Sequence, residues 1–130
     1  MADLEADPAE HDGAVLRGIF GALKPAARLV LTTPNGYRRI REIAAEEVAS
    51  GMFDPATMVQ LRTDEFAVGG AAGPMRYKER LYILPELIAL LSEHGLEVEH
   101  AWGGTAGRWG RRPLELDEIE MMVVARRAPK

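Results

Sequence analysis

The stretch that decides the fold runs from Leu23 to Asn35 and reads Leu-Lys-Pro-Ala-Ala-Arg-Leu-Val-Leu-Thr-Thr-Pro-Asn. Its centre, Leu29 to Thr33, is a short aliphatic and β-branched run between two prolines. A run of this kind without polar alternation predicts a parallel β-strand that is buried on both faces. Apolar residues at helical spacing precede it from Gly13 to Leu23. The sequence therefore predicts a surface helix that leads through a turn into a buried strand.

The chain beyond this strand predicts one more helix and then a region without a clear pattern. Asn35 can cap a helix that begins after it and ends at Ser50-Gly51. Between Met52 and Tyr82 the pattern is irregular, with a short helix predicted from Asp54-Pro55 through residue 61 and a flexible loop predicted at 69–74. The sequence indicates no role for residues 52–82.

The last third of the chain predicts a helix and two strands. Pro85 and Glu86 suit the start of a helix that ends at His94-Gly95. Residues 96–102 alternate, with His100 and Trp102 on the apolar face, which predicts a half-exposed strand and a half-buried histidine. The final strand, predicted at 118–126, is apolar on both faces and therefore belongs in the centre of a sheet. We expect the order 29–33, then 119–126, then 96–102, with an antiparallel hairpin joining the last two.

These elements resemble the C-terminal half of the class I S-adenosylmethionine-dependent methyltransferases. The unit that ends in Thr-Thr-Pro-Asn resembles the approach to the family's fifth strand, and residues 85–98 are similar to its last helix and sixth strand. The resemblance covers residues 13–126 and implies a truncated Rossmann-like α/β fold, with a three-stranded mixed sheet whose last, antiparallel strand lies in the centre. The chain has Ala26 and Ala27 where the family has two glycines. Either this turn needs no positive φ, or the requirement for glycine has been lost in a copy that has diverged from the family.

The resemblance also implies a cofactor and candidate site residues. Family members bind S-adenosylmethionine with a glycine-rich turn and an acidic residue near their first strands, and this chain contains no such turn. We therefore expect most of the cofactor site to be missing. Asn35 and Tyr37 stand where family members line the active-site mouth, and His11, after Glu10, stands where many have a pair beside the substrate. The alternatives are a helix cap for Asn35, a packing aromatic for Tyr37 and an exposed pair at His11.

Composition limits the remaining classes of function. The 130 residues suit one domain, with residues 1–12 as a flexible lead-in and 13–127 as the folded part. The net charge of −4 makes nucleic acid an unexpected partner, although Arg108 to Arg112 around Trp109 offer an alternative phosphate or base contact. There is no cysteine, and the three histidines lack ligand spacing, so no metal site is expected. Without a membrane-spanning run or a signal-peptide pattern, a cytoplasmic protein is expected.

Two classes of function stay open at this point. The first is methyl transfer to a small-molecule acceptor, which requires completion by a cofactor-binding half, so the isolated chain is expected to be inactive. The second is a noncatalytic remnant that acts as an interaction or oligomerisation module. In both cases the predicted strand 29–33 has an open edge, and such an edge promotes association unless it is covered. We expect a second copy, a separate chain or the N-terminal segment to cover it.

Overall fold

The computed structural model describes residues 7–68 and 71–129. These residues divide into two compact units, the first formed by residues 7–12, 43–68 and 71–81 and the second by residues 13–42 and 82–129. In chain order the elements are α1 (Pro8–Ala22), β1 (Arg28–Pro34), α2 (Gly36–Glu42), α3 (Ala45–Ala49), β2 (Phe53–Asp54), β3 (Val59–Val68), β4 (Ala71–Arg80), α4 (Leu84–Glu93), β5 (Leu96–Gly104) and β6 (Glu120–Arg127).

The second unit contains a three-stranded sheet with the order β1-β6-β5. Both pairings are antiparallel, with Leu31 opposite Val123 and Trp102 opposite Met122. Since β1 and β5 each run against β6, they run in the same direction as each other. The predicted position of the last strand in the centre of the sheet is therefore confirmed.

The core of the second unit lies on one face of this sheet. Helices α1 and α4 and the central strand supply most of it, and its buried residues are Leu16, Tyr82, Leu87, Leu91, Leu96, Met121, Val123 and Ala125. Each leucine, valine or methionine side chain among them contributes about 1.5–3 kcal/mol when it leaves water. On the other face Val30 is 59% exposed. The prediction that β1 is buried on both faces is therefore wrong within this unit, because α1 and α4, the helices that supply the core, pack on the face opposite Val30.

Strand β5 departs from the strict alternation that its sequence predicts. The register shifts between Val98 and His100, so that Glu99 is an extra residue, a β-bulge. Val98 lies opposite the buried Ala125, whereas His100 and Trp102 lie opposite Val124 and Met122, on the other face. The prediction of His100 and Trp102 on the core-facing side of the strand is therefore wrong, and His100 is exposed rather than half-buried.

The first unit contains an antiparallel sheet, β2-β3-β4. Residues 55–58 form a turn, held by bonds from Ala56 N and Thr57 Oγ1 to the Asp54 carboxylate, at 2.9 and 3.1 Å. Strand β3 begins directly afterwards, so the predicted helix through residue 61 is wrong. Residues 71–74 belong to β4 rather than to a loop, while 69 and 70 lie outside the described residues.

Two helix boundaries also differ from the prediction. Helix α1 begins at Pro8, five residues before the expected start at Gly13. The helix expected from Asn35 to Ser50 is divided into α2 and α3. The division has a local cause, because the Glu47 carboxylate accepts a hydrogen bond from Ala44 N at 3.0 Å and starts a new helix there.

The turn between α1 and β1 adopts a backbone conformation that normally favours glycine, although it contains none. Ala27 N donates to Lys24 O at 3.0 Å, and Ala26 has a φ of 64°. With Pro25 before it, this is the arrangement of a type II turn, which favours glycine at its third position. Of the two explanations for the double alanine, a turn that needs no positive φ is therefore excluded at Ala26.

Replacing Ala26 by glycine is expected to raise the free energy of unfolding by roughly 0.5–1 kcal/mol, because the strain of a β-carbon at positive φ is relieved. Urea unfolding of the Ala26→Gly variant measures the gain. The neighbouring Ala27 has no positive φ, so Ala27→Gly serves as the matched control and is expected to destabilise slightly. Equal effects of the two substitutions would contradict the explanation.

Candidate functional site

Asn35 lies directly after β1 and is fully buried, with 0% of its surface exposed. Its Nδ2 donates to three backbone carbonyls of the segment that precedes β6: Glu115 O at 3.1 Å, Leu116 O at 3.3 Å and Glu118 O at 2.9 Å. We call this arrangement the Asn35 latch. It ties the carboxyl end of β1 to a segment 80 residues further along the chain.

The remaining polar atoms of Asn35 are also engaged. Its Oδ1 accepts a hydrogen bond from Tyr37 N at 3.1 Å, at the start of α2. Its backbone N donates to Ile119 O at 3.1 Å, and its backbone O accepts from Arg39 N at 3.1 Å. The interpretation of Asn35 as a helix cap is therefore confirmed, and a substrate contact of its side chain stays a prediction that would require the latch to open.

The segment 115–118 is held from a second side by α2. The Arg41 guanidinium pairs with the Asp117 carboxylate, and Arg38 Nη1 donates to Asp117 O at 3.1 Å. Two cations and one amide thus fix a segment that has no regular secondary structure. No sequence pattern indicates these contacts, since they join residues almost 80 positions apart.

The three residues predicted to bind substrate are distributed over both units. Asn35 and Tyr37 belong to the second unit and are joined by the hydrogen bond described above. His11 belongs to the first unit, where its Nδ1 lies 3.3 Å from Asp12 Oδ1. The structure therefore joins Asn35 to Tyr37, and the substrate role of all three residues stays a prediction.

The bulge residue Glu99 joins the three strands of the sheet on its open face. Arg28 Nε donates to Glu99 Oε1 at 2.9 Å, and Arg126 Nε lies 3.2 Å from Glu99 Oε2. The hydrogen bond from Arg28 lowers the pKa of Glu99, and the positive charge of Arg126 acts in the same direction. The Glu99 carboxylate thus lies between the two cations.

This shift of the Glu99 pKa predicts a pH dependence of stability. Because the folded-state pKa is lower than the unfolded one, the ion pair stabilises the fold above the unfolded pKa and loses this effect as the pH falls through the folded pKa. Wild type is expected to unfold at a higher urea concentration than Glu99→Gln at neutral pH, and the difference is expected to vanish in acid. Glu97→Gln, at an exposed position of the same strand, is the control. A difference that persists in acid would contradict the assignment.

Two of the arginines in the loop between β5 and β6 make contacts within the chain. The rings of His100 and Trp102 stack with centres 5.1 Å apart, and the Arg111 guanidinium carbon lies 5.9 Å from the centre of the Trp102 ring. Arg112 Nη1 lies 3.4 Å from Glu118 Oε1. These contacts give both arginines a structural explanation, and a phosphate or base contact in this loop stays a prediction.

Two further observations concern residues 7–68 and 71–129 only. No group of three or more histidine and acidic side chains in them is arranged to hold a metal ion. None of their helices has the length and apolar character that crossing a membrane requires.

The Asn35 side chain and Gly36 N, directly after β1, do not offer free polar groups to a cofactor. Every polar side-chain atom of Asn35 is bonded within the chain, and Gly36 N donates to Tyr82 O at 2.9 Å. These residues therefore do not fit S-adenosylmethionine binding by themselves in this conformation.

The fold is similar to that of two solved structures. The CcbJ methyltransferase from Streptomyces caelestis matches with a TM-score of 0.64 and 16% sequence identity, over 92% of this chain and 54% of that one. The fold of this chain is therefore similar to that of part of a methyltransferase. An S-adenosylmethionine-dependent methyltransferase from Clostridium acetobutylicum matches with a TM-score of 0.57 and 8% identity, over 92% of this chain and 52% of that one. The chain thus spans about half the length of these methyltransferases. No protein-family model and no curated protein matches it.

Proposed function

We propose that the chain supplies the C-terminal half of an S-adenosylmethionine-dependent methyltransferase, and that methyl transfer to a small-molecule acceptor requires a cofactor-binding half, whichever polypeptide carries it. The observation that carries the proposal is the sheet β1-β6-β5, with its last strand antiparallel in the centre, in a chain that matches about half of two methyltransferases. The contribution of this half is a rigid scaffold that positions the acceptor, which is where much of the rate of a group transfer originates.

The edge of β1 has the hydrogen-bonding groups that such a completion needs. Arg127 N donates to Ala27 O at 2.8 Å and Asn35 N to Ile119 O at 3.1 Å, so the odd-numbered residues of β1 bond to β6. In an antiparallel pair the alternate residues direct their N–H and C=O groups to the other side. Arg28, Val30 and Thr32 therefore present theirs at an edge with which no strand of the described residues pairs.

The side chains beside this edge favour coverage as well. Val30 is 59% exposed on the open face of the sheet, next to Val124. Burying a valine of this kind and pairing the open backbone groups stabilise the same contact. The cofactor-binding half, pairing with β1 as a further strand, is the partner proposed here, and a second copy is its substitute when that half is absent.

Substitution of Val30 by proline tests the edge. The Val30 N–H points away from β6, so proline removes an outward donor and leaves the β1-β6 hydrogen bonds in place. Light scattering after size-exclusion chromatography is expected to show association of wild type that increases with concentration, and a monomeric Val30→Pro variant with an unchanged circular dichroism spectrum. A wild-type chain that stays monomeric at high concentration would count against edge pairing.

Titration with S-adenosylhomocysteine tests the activity side of the proposal. The isolated chain is expected to show no saturable heat, whereas a preparation that contains the cofactor-binding half is expected to bind. Saturable binding by the isolated chain would overturn the requirement for a second half.

The second candidate is the noncatalytic module, and the engagement of every Asn35 polar atom favours it. A module of this kind would still associate through β1, but its assembled form would bind no S-adenosylhomocysteine. The titration of the assembled form therefore separates the two candidates.

A further inference from the structure

Asn35 and Gly36 form the dipeptide that is chemically least durable in proteins. A glycine after an asparagine has no β-carbon, so its backbone nitrogen can approach the side-chain amide without obstruction. Asn35 is the only asparagine in the sequence, and the glycine follows it directly. The fold thus depends on a labile pair at the end of β1.

Neither residue of the pair can be substituted without loss of a contact, because each makes contacts that other residue types cannot make. The amide of Asn35 donates to the three carbonyls of the latch. A β-carbon on Gly36 would lie 2.3 Å from Tyr82 O and 2.7 Å from Tyr82 C, which are backbone atoms that cannot move aside cheaply. The latch requires an asparagine and the packing requires a glycine.

The same contacts restrain the two reacting groups. Gly36 N, the nucleophile, donates its proton to Tyr82 O at 2.9 Å. Asn35 Nδ2, the leaving group, is held by Glu118 O at 2.9 Å in a site with 0% exposure. Rotation of the side chain toward Gly36 N requires these bonds to break, so reaction requires a local opening of segment 115–118.

We propose that Asn35 is a deamidation site which the latch protects, and which reacts only when segment 115–118 opens. Gly36 N attacks Asn35 Cγ, a C–N bond forms, the Cγ–Nδ2 bond breaks, and ammonia leaves with the proton lost by Gly36 N. Water then opens the succinimide at one of its two carbonyls and gives an aspartate or an isoaspartate.

The product cannot close the latch. An aspartate at position 35 keeps an oxygen for Tyr37 N but presents a second oxygen to the carbonyls of Glu115, Leu116 and Glu118, which also lack a proton to donate. Acceptor facing acceptor in a buried site is unfavourable. A single opening followed by reaction therefore converts the segment permanently to an open state.

The test is the rate of deamidation in the folded and unfolded chain. Intact mass spectrometry follows the exchange of an amide for a carboxyl during incubation at slightly alkaline pH, with and without urea. Because the sequence has one asparagine, the early mass change reports on Asn35, and peptide mapping separates it from Gln60. The folded chain is expected to react more slowly by on the order of a hundredfold or more. Equal rates would overturn the protection.

Two variants show whether opening of the segment controls the rate. The double variant Arg38→Ala, Arg41→Ala removes the side-chain contacts to Asp117 and is expected to deamidate faster than wild type. Arg28→Ala removes an ion pair at the opposite end of β1 and is the matched control. Equal acceleration by the control, at equal global stability, would overturn control by the segment. Limited proteolysis of Asn35→Asp is expected to cut segment 115–118 faster than in wild type, and unchanged cutting would overturn the one-way opening.

Discussion

The Asn35→Leu variant is expected to lose about 3 kcal/mol of unfolding free energy, because carbonyls that face the buried side chain are left without their donor, at a cost of about 1–3 kcal/mol for each one shielded from water. The two side chains have the same branched arrangement of heavy atoms and leucine is the larger, so the loss comes from hydrogen bonding rather than from a cavity. Glu115 O, Leu116 O and Glu118 O lose their common donor. The effect stays below the sum of three full penalties because one amide has two protons for these three carbonyls, and residues 115–117 are exposed enough for water to reach them. Urea unfolding with tryptophan fluorescence measures it.

The Asn35→Asp variant separates the donor from the acceptor of the side chain. It keeps the bond to Tyr37 N and the shape of the residue, yet it removes the donor and adds a negative charge beside carbonyl oxygens. We expect a loss at neutral pH at least as large as that of Asn35→Leu. A wild-type midpoint in both variants would show that the latch is not a stabilising element.

The topology of the second unit was predictable because its sequence pattern is strong. The residues Met121 to Ala125 are apolar at every position, which only a central strand accommodates. Helix α4 follows from Pro85, its apolar positions and the closing Gly95, and its observed bounds, Leu84–Glu93, agree closely with the prediction. Here local propensity and global fold favour the same structure.

The sequence-based predictions that were wrong or incomplete have three different physical causes. The bulge at Glu99 is a single-residue insertion in the pairing, which alternation within one strand cannot show. The hairpin of β3 and β4 was missed because glycine and proline within β4 resemble a loop. The latch was missed because it joins Asn35 to carbonyls near β6, and backbone carbonyls leave no trace in a sequence.

The candidate site was predictable only in position. The sequence placed Asn35 and Tyr37 at the carboxyl end of β1, and the structure places them there. What the sequence could not show is that the hydrogen bonds of Asn35 are already used within the chain. Asn35 therefore stabilises this end of the sheet, and in the described conformation its side chain has no polar atom left to bind a ligand.

Replacing Gly95 by alanine is expected to lower the free energy of unfolding by about 3 kcal/mol, because two independent costs meet at this residue. Gly95 has a φ of 77°, and a β-carbon at such an angle costs about 1–2 kcal/mol. That β-carbon would also lie 2.6 Å from Cε2 of Phe20, and overpacking of a filled site costs about 1–3 kcal/mol. The Phe20 ring is held in turn by the Arg127 guanidinium, whose carbon lies 4.1 Å from the ring centre and which also donates to Leu23 O. The ring therefore cannot move away without disturbing the end of α1.

Gly51→Ala isolates the first of these two costs. Gly51 has a φ of 84°, and a β-carbon there would meet nothing within 4 Å. We expect Gly51→Ala to lose about 1 kcal/mol, the backbone cost alone. The difference between the two variants then measures the contact of residue 95 with Phe20. Adding Phe20→Leu to Gly95→Ala makes room for the β-carbon and is expected to cost less than the sum of the two single substitutions, since the residues are in contact. Equal losses for Gly95→Ala and Gly51→Ala would show that α1 yields to the added carbon and that the packing of α1 against the turn after α4 is loose.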